Sequence, residues 1–420
     1  VTRAGSGHHS APDVIIVGAG PAGSSLALRL ARSGVQVLLL DRANFPRDKP
    51  CAEYLNHDAT RLLAEAGALA PLLAAGAASL AGMHIRAPNG TWIRGAFDRR
   101  NSGEAHALSV RRVVLDATLL SMARSAGAMV HERSLVSDVL RDHSGRVAGV
   151  CVRTADGASR EFRAPITVAA DGLRSTVARR LSLVRRGRLP RRLAFVGHFT
   201  DVLDIGDTGE MHVEPDGFMG LADSGGGETV AALVVPHASA RSAAGDTSSF
   251  LRAWIARRPH LAERFSGAHL TGRVRAVGPF ATRVHRAWSP GAALIGDAAG
   301  YFDPFTGEGI RNALLGAKLL APRIVAALEA TERGDLRSAD ASLAEYAAEY
   351  RAELRARRVL ERIIAAVVAQ PRLINHVAAS LAARQQDANL LVAVTGAERP
   401  ASDVLRAGFV GRLVLGRRGW

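Results

Sequence analysis

The segment Asp13-Val14-Ile15-Ile16-Val17-Gly18-Ala19-Gly20-Pro21-Ala22-Gly23 leaves the first part of this 420-residue chain little conformational choice. Four apolar, mostly β-branched residues in a row read as a buried parallel strand. The run ends in three glycines spaced Gly-x-Gly-x-x-Gly. Gly18 permits a tight turn, Gly20 lets the backbone approach a pyrophosphate, and Gly23 lets the following helix pack closely on the strand. Ser24 to Ser33 then carries Leu26, Leu28, Leu30 and Ala31 interleaved with Arg29 and Arg32, and Gly34 stops that helix. Val35–Leu40 is a second strand. It ends at Asp41, eighteen residues after Gly23, where a carboxylate is placed to bond ribose hydroxyls. Phosphates would sit at the helix N-terminus, where free N–H groups and the helix dipole favour negative charge. Gly18, Gly20, Pro21, Ala22, Gly23, Asp41 and Arg42 are therefore the candidate dinucleotide-binding residues of this unit. The fingerprint is shared by FAD and NAD sites and does not choose between them.

Further along, the pattern alternates less regularly. Met83–Ile85 and Thr91–Ile93 read as strands, Val113–Ala126 as a helix headed by Arg112, and Met129–Glu132 as a strand. Val136–Arg141 and Val147–Arg153 flank Asp142-His143-Ser144-Gly145 as a hairpin. Ile166–Ala170 is another buried strand. From about Leu193 to Val274, short strands such as Ala194–Thr200 and Thr229–Val235 predict a separate antiparallel sheet, with a helix over Phe250–Phe265. Ala292–Ile295 returns to the buried-strand pattern. Ile310–Leu328 reads as a long helix with a kink expected near Pro322, and helices are expected to about Ala383. Leu62–Met83 is the one long apolar stretch. Glu65, Gly67, Pro71 and Gly76 interrupt it, so it reads as helix, turn and short helix rather than a membrane span.

Two later segments choose the cofactor. One is Val168-Ala169-Ala170-Asp171-Gly172-Leu173-Arg174-Ser175. The other runs from Gly296-Asp297-Ala298-Ala299-Gly300 through Asp303-Pro304-Phe305-Thr306-Gly307-Glu308-Gly309-Ile310. With the glycine loop, in this order and spacing from about Val14 to Leu320, they resemble a family of FAD-dependent oxidoreductases. That family includes aromatic hydroxylases of the para-hydroxybenzoate hydroxylase type, geranylgeranyl reductases and flavin-dependent halogenases. The resemblance implies an α/β fold: a Rossmann-like FAD-binding domain of the glutathione-reductase type, an inserted antiparallel substrate-binding sheet and a helical C-terminal region. The corresponding expectation is an FAD-binding domain over 13–82, 101–190 and 276–330. The substrate sheet takes 83–100 and 191–275, and helices take 331–420. The resemblance also implies FAD contacts from Arg112, from Asp171 and Gly172, and from Gly296 and Asp297, with Asp297 on a ribityl hydroxyl. Pro304, Gly307, Gly309 and Ile310 would run beside the isoalloxazine ring. The helix starting near Gly309 would aim its dipole at the ring edge that gains negative charge on reduction.

Arg47-Asp48-Lys49-Pro50-Cys51-Ala52-Glu53-Tyr54-Leu55 is similar to a flavin-proximal segment most developed in the reductases, but Ala52 and Tyr54 stand where reductases usually have glycines. The Trp-x-Trp-x-Ile-Pro run of halogenases is missing. So is the Tyr-x-Trp-x-Phe-Pro box of many geranylgeranyl reductases, whose place Glu214–Leu221 occupies. There is no second Rossmann fingerprint. The expected activity is therefore a monooxygenase that hydroxylates or epoxidises a lipophilic or aromatic small molecule through reduced flavin and O2. NAD(P)H would serve as a transient reductant, or a separate reductase would replace it. The alternatives are saturation of prenyl double bonds and, outside catalysis, a flavin-holding membrane-surface binding protein with Val359–Val368 as its amphipathic helix. His84, His106, His198 and His212 fall in or near the substrate sheet. None shows a partner spacing, so no catalytic base is named.

The net charge of +15 comes from 54 lysines and arginines against 39 acidic residues. It is spread along the chain, densest at Arg185–Arg192 and Arg351–Arg362. No DNA-reading motif accompanies it, so nucleic acid is not an expected partner. A solvated surface is the first reading and peripheral membrane contact the second. No zinc-ligand spacing is present and no metal is expected. Cys51 and Cys151 lie 100 residues apart, which is no disulfide framework and fits a reducing cytoplasm. Cys51 is expected to be a packed thiol. Val1–Pro12 is polar, without the apolar core of a secretory signal, and is expected to be a disordered lead-in.

Overall fold

A computed structural model describes residues 11–97, 106–154, 157–186, 191–243 and 245–415. Most of the N-terminal lead-in and part of the Arg185–Arg192 cluster lie outside the described residues. The strand Val14–Val17 sits inside a six-stranded sheet, with Ile166–Ala169 on one side and Val37–Leu40 on the other. Met129–His131 extends the sheet beyond Val37–Leu40, and Ala292–Leu294 extends it beyond Ile166–Ala169. All these pairings are parallel. The edge strand Trp288–Ser289 alone runs antiparallel. The helices Pro21–Arg32 and Gly309–Glu332 and a three-stranded sheet of Leu135–Arg141, Val147–Arg153 and Ser159–Arg163 share its core, so the central strands are apolar at nearly every position: Val14, Ile15, Ile16 and Leu39 are fully buried, and Thr167 is the polar exception.

The helix after the glycine loop spans Pro21–Arg32. It begins three residues earlier than its periodicity predicts, because Pro21 at the first helical position already has the required φ. Gly34 ends it with φ +81°, while its N–H bonds to Ala31 and that of Val35 bonds to Leu30, a Schellman closure.

The second large sheet runs in the order His269–Leu270, Arg192–Thr200, Thr229–Pro236, Gly217–Asp223, Thr208–Glu214, Gly82–Arg86 and Trp92–Ala96, with Arg275–Val277 also pairing with Arg192–Thr200. It departs from the expected antiparallel sheet at one seam: Gly82–Arg86 pairs parallel to Thr208–Glu214. Both faces are covered, and the two-residue period of a strand sorts the side chains between them. Ala194, Val196, Val230, Ala232 and Val234 face the C-terminal helices. Phe195, Phe199, Ala231, Leu233 and Val235 face Trp254 and Leu251 on the opposite side.

The helix expected over Phe250–Phe265 is broken into Thr247–Ala256 and Pro259–Ala262. Proline disfavours helical geometry in the residue before it, and Arg258 is extended at φ −121°, ψ 103°. The long helix after Gly307 spans Gly309–Glu332 and runs through Pro322. Helices continue past Ala383, to Leu415. The longest, Leu336–Val368, is tied to the parallel sheet by a hydrogen bond from Tyr346 Oη to the Leu294 carbonyl at 2.9 Å and to the helix Gly309–Glu332 by one from Tyr350 Oη to the Asn312 carbonyl at 3.1 Å.

Candidate flavin site

Gly18 has φ +103°, and a Cβ there would stand 2.5 Å from the Ala170 carbonyl oxygen. Only glycine fits this turn. A Cβ on Gly23 would lie 1.8 Å from the Gly18 carbonyl, so the helix is as close to the loop as backbone permits. Asp41 accepts the Ala19 N–H at 2.7 Å and the Ala43 N–H at 2.8 Å, bracing the loop from the end of the second strand. Arg42 points to the surface.

The space above Gly20 is open but strongly cationic. The nearest atoms to a Cβ there would be Arg47 Nη2 at 3.6 Å and Arg112 Nη2 at 3.9 Å. Arg112 is 5% exposed and no surface residue. Two bonds of 2.7 Å join it to Asp116, which also receives Arg47 at 3.0 Å. Burial disfavours the Arg112 charge, but Asp116 overrides it and holds the guanidinium protonated. Two fixed cations over an open glycine loop match the two charges of a pyrophosphate.

A cleft of about 180 Å³ continues from this loop, lined by Pro21, Arg112, Asp297, Pro304, Gly307, Gly309 and Ile310 among others. Seven of the sequence-derived candidates thus meet in one cavity. Asp297 follows the strand Ala292–Leu294 and faces the cleft. Burial raises its pKa, while Lys49 and Arg112 oppose that shift. Lys49 is one of two lysines in a chain rich in arginine. Burial, then Arg112, lowers its pKa. It comes within 3.4 Å of where a Gly172 Cβ would be. Asp171 has a mainly local role: its carboxylate accepts the Thr176 N–H at 2.6 Å, at the head of the helix Thr176–Arg180. Gly296 packs beneath, 3.1 Å from Ala22 by the same Cβ measure. Gly307 is left-handed at φ +67°, and a Cβ there would lie 2.4 Å from the Tyr54 ring.

Several contacts escaped the sequence. Glu53 is fully enclosed, with φ +61°, a conformation that costs a non-glycine residue of order 1 kcal/mol or more. Its carboxylate accepts the Arg112 N–H at 3.0 Å and bonds His198 Nε2 at 2.9 Å, linking the glycine-loop unit to the second sheet. His212 bonds Glu210 at 2.8 Å and stacks on His260 at 5.4 Å. The partner of His198 lies 145 positions away, where spacing carries no signal, whereas Glu210 sits two residues from His212 on the same strand, a same-face spacing the sequence did carry. The lone lysine in the Lys49-Pro50-Cys51 segment was the one legible hint for Lys49.

A larger cavity, about 420 Å³, opens beside the cleft. Ala52, Tyr54, Pro304 and Gly307 belong to both. Its walls are Leu80, then Met83, Ile85 and Ile93 from the second sheet, and Leu360, Ile364, Val367, Ile374 and Leu391 from the C-terminal helices. Among the described residues no group of three or more His, Cys, Asp or Glu is arranged to hold a metal ion.

A Rossmann sheet, a cationic glycine loop, and a roofing sheet over a cleft define an FAD-dependent oxidoreductase. Residues 11–360 match the FAD binding domain family, and the chain belongs to it. It is 27% identical to conditioned medium factor receptor 1 of Dictyostelium discoideum over 75% of this chain, a match that spans 63% of the receptor's length. It is 30% identical to digeranylgeranylglycerophospholipid reductase 1 of Methanopyrus kandleri, covering 76% of this chain and 81% of that one. Among solved structures it resembles the myxobacterial chondrochloren halogenase, an FAD-dependent halogenase, with a TM-score of 0.73, 26% identity, and 82% and 80% of the two chains covered.

Proposed function

We propose that this protein reduces a carbon–carbon double bond of a long lipophilic, prenyl-type substrate. The observation that carries the reading is the 420 Å³ apolar cavity that meets the cleft at Tyr54 and Pro304–Gly307. Burying an extended hydrocarbon there is favourable by about 0.8 kcal/mol per methylene, which suits a chain better than a small polar aromatic. The similarity to a reductase of a geranylgeranyl lipid supports the same reading.

Reduced FAD supplies the hydride equivalent. The remaining work falls to the protein. Arg47 and Arg112 would hold the pyrophosphate, Asp297 would orient the ribityl chain, and the Gly309–Glu332 helix would offer its positive end to the reduced ring. Burial raises the Tyr54 hydroxyl and the Cys51 thiol above their ordinary pKa values, so both stay protonated, which puts one proton donor on the shared wall and a second in the cleft. The apolar walls exclude water from the reacting bond. NAD(P)H, or a separate reductase, would supply the electrons that return the flavin to its reduced form.

The rim of the large cavity carries exposed Ile363, Leu373 and Val410, at 46%, 44% and 44% exposure. In this reading the rim rests on a membrane surface from which the substrate enters, on the cytoplasmic side. No single described helix is long and apolar enough to cross a membrane.

The second reading is a monooxygenase acting on the same lipophilic class, favoured by the 26% identity to a flavin-dependent halogenase. Single turnover of the reduced protein with prenyl substrates, with and without O2, separates the two. Product that gains two hydrogens without O2 supports the reductase. Product that gains one oxygen atom, and only with O2, replaces it.

A further inference from the structure

A separate cavity of about 170 Å³ lies next to the flavin cleft and shares Tyr301 with it. Its walls are the Thr282–Ala287 segment, the Ala299–Phe302 turn and the long helix Leu336–Val368. Five arginines line it: Arg283, Arg286, Arg351, Arg358 and Arg362. Arg351, Arg358 and Arg362 are seven and four residues apart on the helix, which stacks them on one face. Arg283 and Arg286 come from the facing segment.

This concentration of charge is unusual for the molecule. The more deeply buried arginines nearby are held by carboxylates: Arg192 by Asp303 at 2.8 Å, Arg311 by Asp58 at 2.7 Å, and Arg357 by Glu308 at 2.7 Å, whereas Arg358 is half-buried and the other four lining arginines open to solvent. None of the five lining arginines has such a partner among the described residues. Arg286 only stacks over Trp288 at 5.0 Å. One carboxylate, Glu361, shares the lining. Burial, then Glu308, pushes its pKa up to about 7, so at neutral pH it offsets about half of one of the five positive charges. Like charges gathered in a concave wall raise the local potential and draw in anions.

We propose that this cavity is a binding subsite for a phosphate-bearing ligand, gripped by the three helix arginines on one side and by Arg283 and Arg286 on the other. The planar guanidinium fork matches phosphate oxygens two at a time, which an ammonium does not do. The cavity is too small and too polar for the apolar chain that fits its neighbour. The same helix contributes Leu360, Ile363 and Ile364 to the apolar cavity. A phosphate here can therefore belong to a soluble phosphoester or to a lipid headgroup. The proposal does not depend on the reductive reading.

The test uses flavin-loaded protein, so that the glycine-loop site is filled. Inorganic pyrophosphate is titrated calorimetrically. In parallel, the protein is sedimented with phosphatidylcholine vesicles with and without phosphatidic acid. R358Q/R362Q is expected to weaken whichever binding is seen by about tenfold or more, with the flavin spectrum unchanged. R153Q/R160Q removes the same charge from the exposed hairpin sheet and is expected to change binding by less than about twofold. If R358Q/R362Q loses its flavin, R283Q/R351Q replaces it with the same expectation, since both residues are exposed. Pyrophosphate binding without vesicle retention assigns a soluble ligand. Retention by phosphatidic acid alone assigns a lipid headgroup. No binding in either arm, or an equal loss in the control pair, overturns the proposal.

Discussion

Arg112 and Asp116 lie one helical turn apart and join through two bonds of 2.7 Å, with the Asp116 side chain wholly out of solvent. The pair fixes a guanidinium over the glycine loop before any cofactor arrives. Removing the arginine strands a buried carboxylate, with Arg47 at 3.0 Å as its remaining partner. Breaking a buried pair costs about 3–5 kcal/mol, and Arg47 should keep the loss near the lower end. R112A is expected to lower unfolding stability by about 3 kcal/mol and to release FAD more readily. R112A/D116A should regain most of the stability but not the flavin. Denaturant unfolding and the fluorescence of released flavin measure the two effects.

Gly307 answers to two constraints at once, a left-handed φ and the Tyr54 ring pressed against it. G307A meets both a backbone penalty of about 1 kcal/mol and a steric clash. The expected result is a lower melting temperature and weaker flavin retention. Adding Y54A removes the clash but not the backbone strain, so it should recover part of the loss. A double variant no better than G307A would show that the ring contact is immaterial.

Ile364 lines the apolar cavity from the long helix. I364W fills that space without adding charge. For long prenyl substrates KM should rise about tenfold, a loss of about 1.4 kcal/mol of binding, while short-chain substrates change little. Steady-state kinetics across chain lengths, with the flavin spectrum as control, checks this.

Glu361 gives a pH signature. Its folded pKa of about 7 lies above the usual 4.5, chiefly through burial. The folded state therefore holds this proton more tightly than the unfolded state. As pH rises from about 4.5 to 7, this group increasingly disfavours folding, and above 7 its full cost is present. E361Q cannot ionise. Its gain in melting temperature over the parent should grow across that window and then level off. A gain independent of pH would place the effect elsewhere.

The glycine loop, its strand and its helix were legible because their determinants are local. A turn that needs φ +103° selects glycine, and a capping Gly34 ends the helix within four residues of its last leucine. The break at Pro259 was equally local. The apolar periodicity on either side of it masks that signal and predicts one unbroken helix. The edge of the second sheet was harder. Nothing in Gly82–Arg86 distinguishes a strand that pairs antiparallel with its sequence neighbour Trp92–Ala96 from one that also pairs parallel with Thr208–Glu214.

What the sequence by itself determined is the backbone chemistry of a dinucleotide fold: where the chain turns, which strands are buried on both faces, and which glycines and aspartates end them. What only the tertiary structure decided is which side chains meet. Glu53 reaches His198 across 145 positions, Arg47 joins Arg112 on Asp116, and helices beyond residue 350 close an apolar cavity on strands before residue 100. The physical reason is that turn and strand preferences are set within a few residues. Side-chain convergence depends on sheet register and helix packing, which are settled only when distant surfaces bury one another.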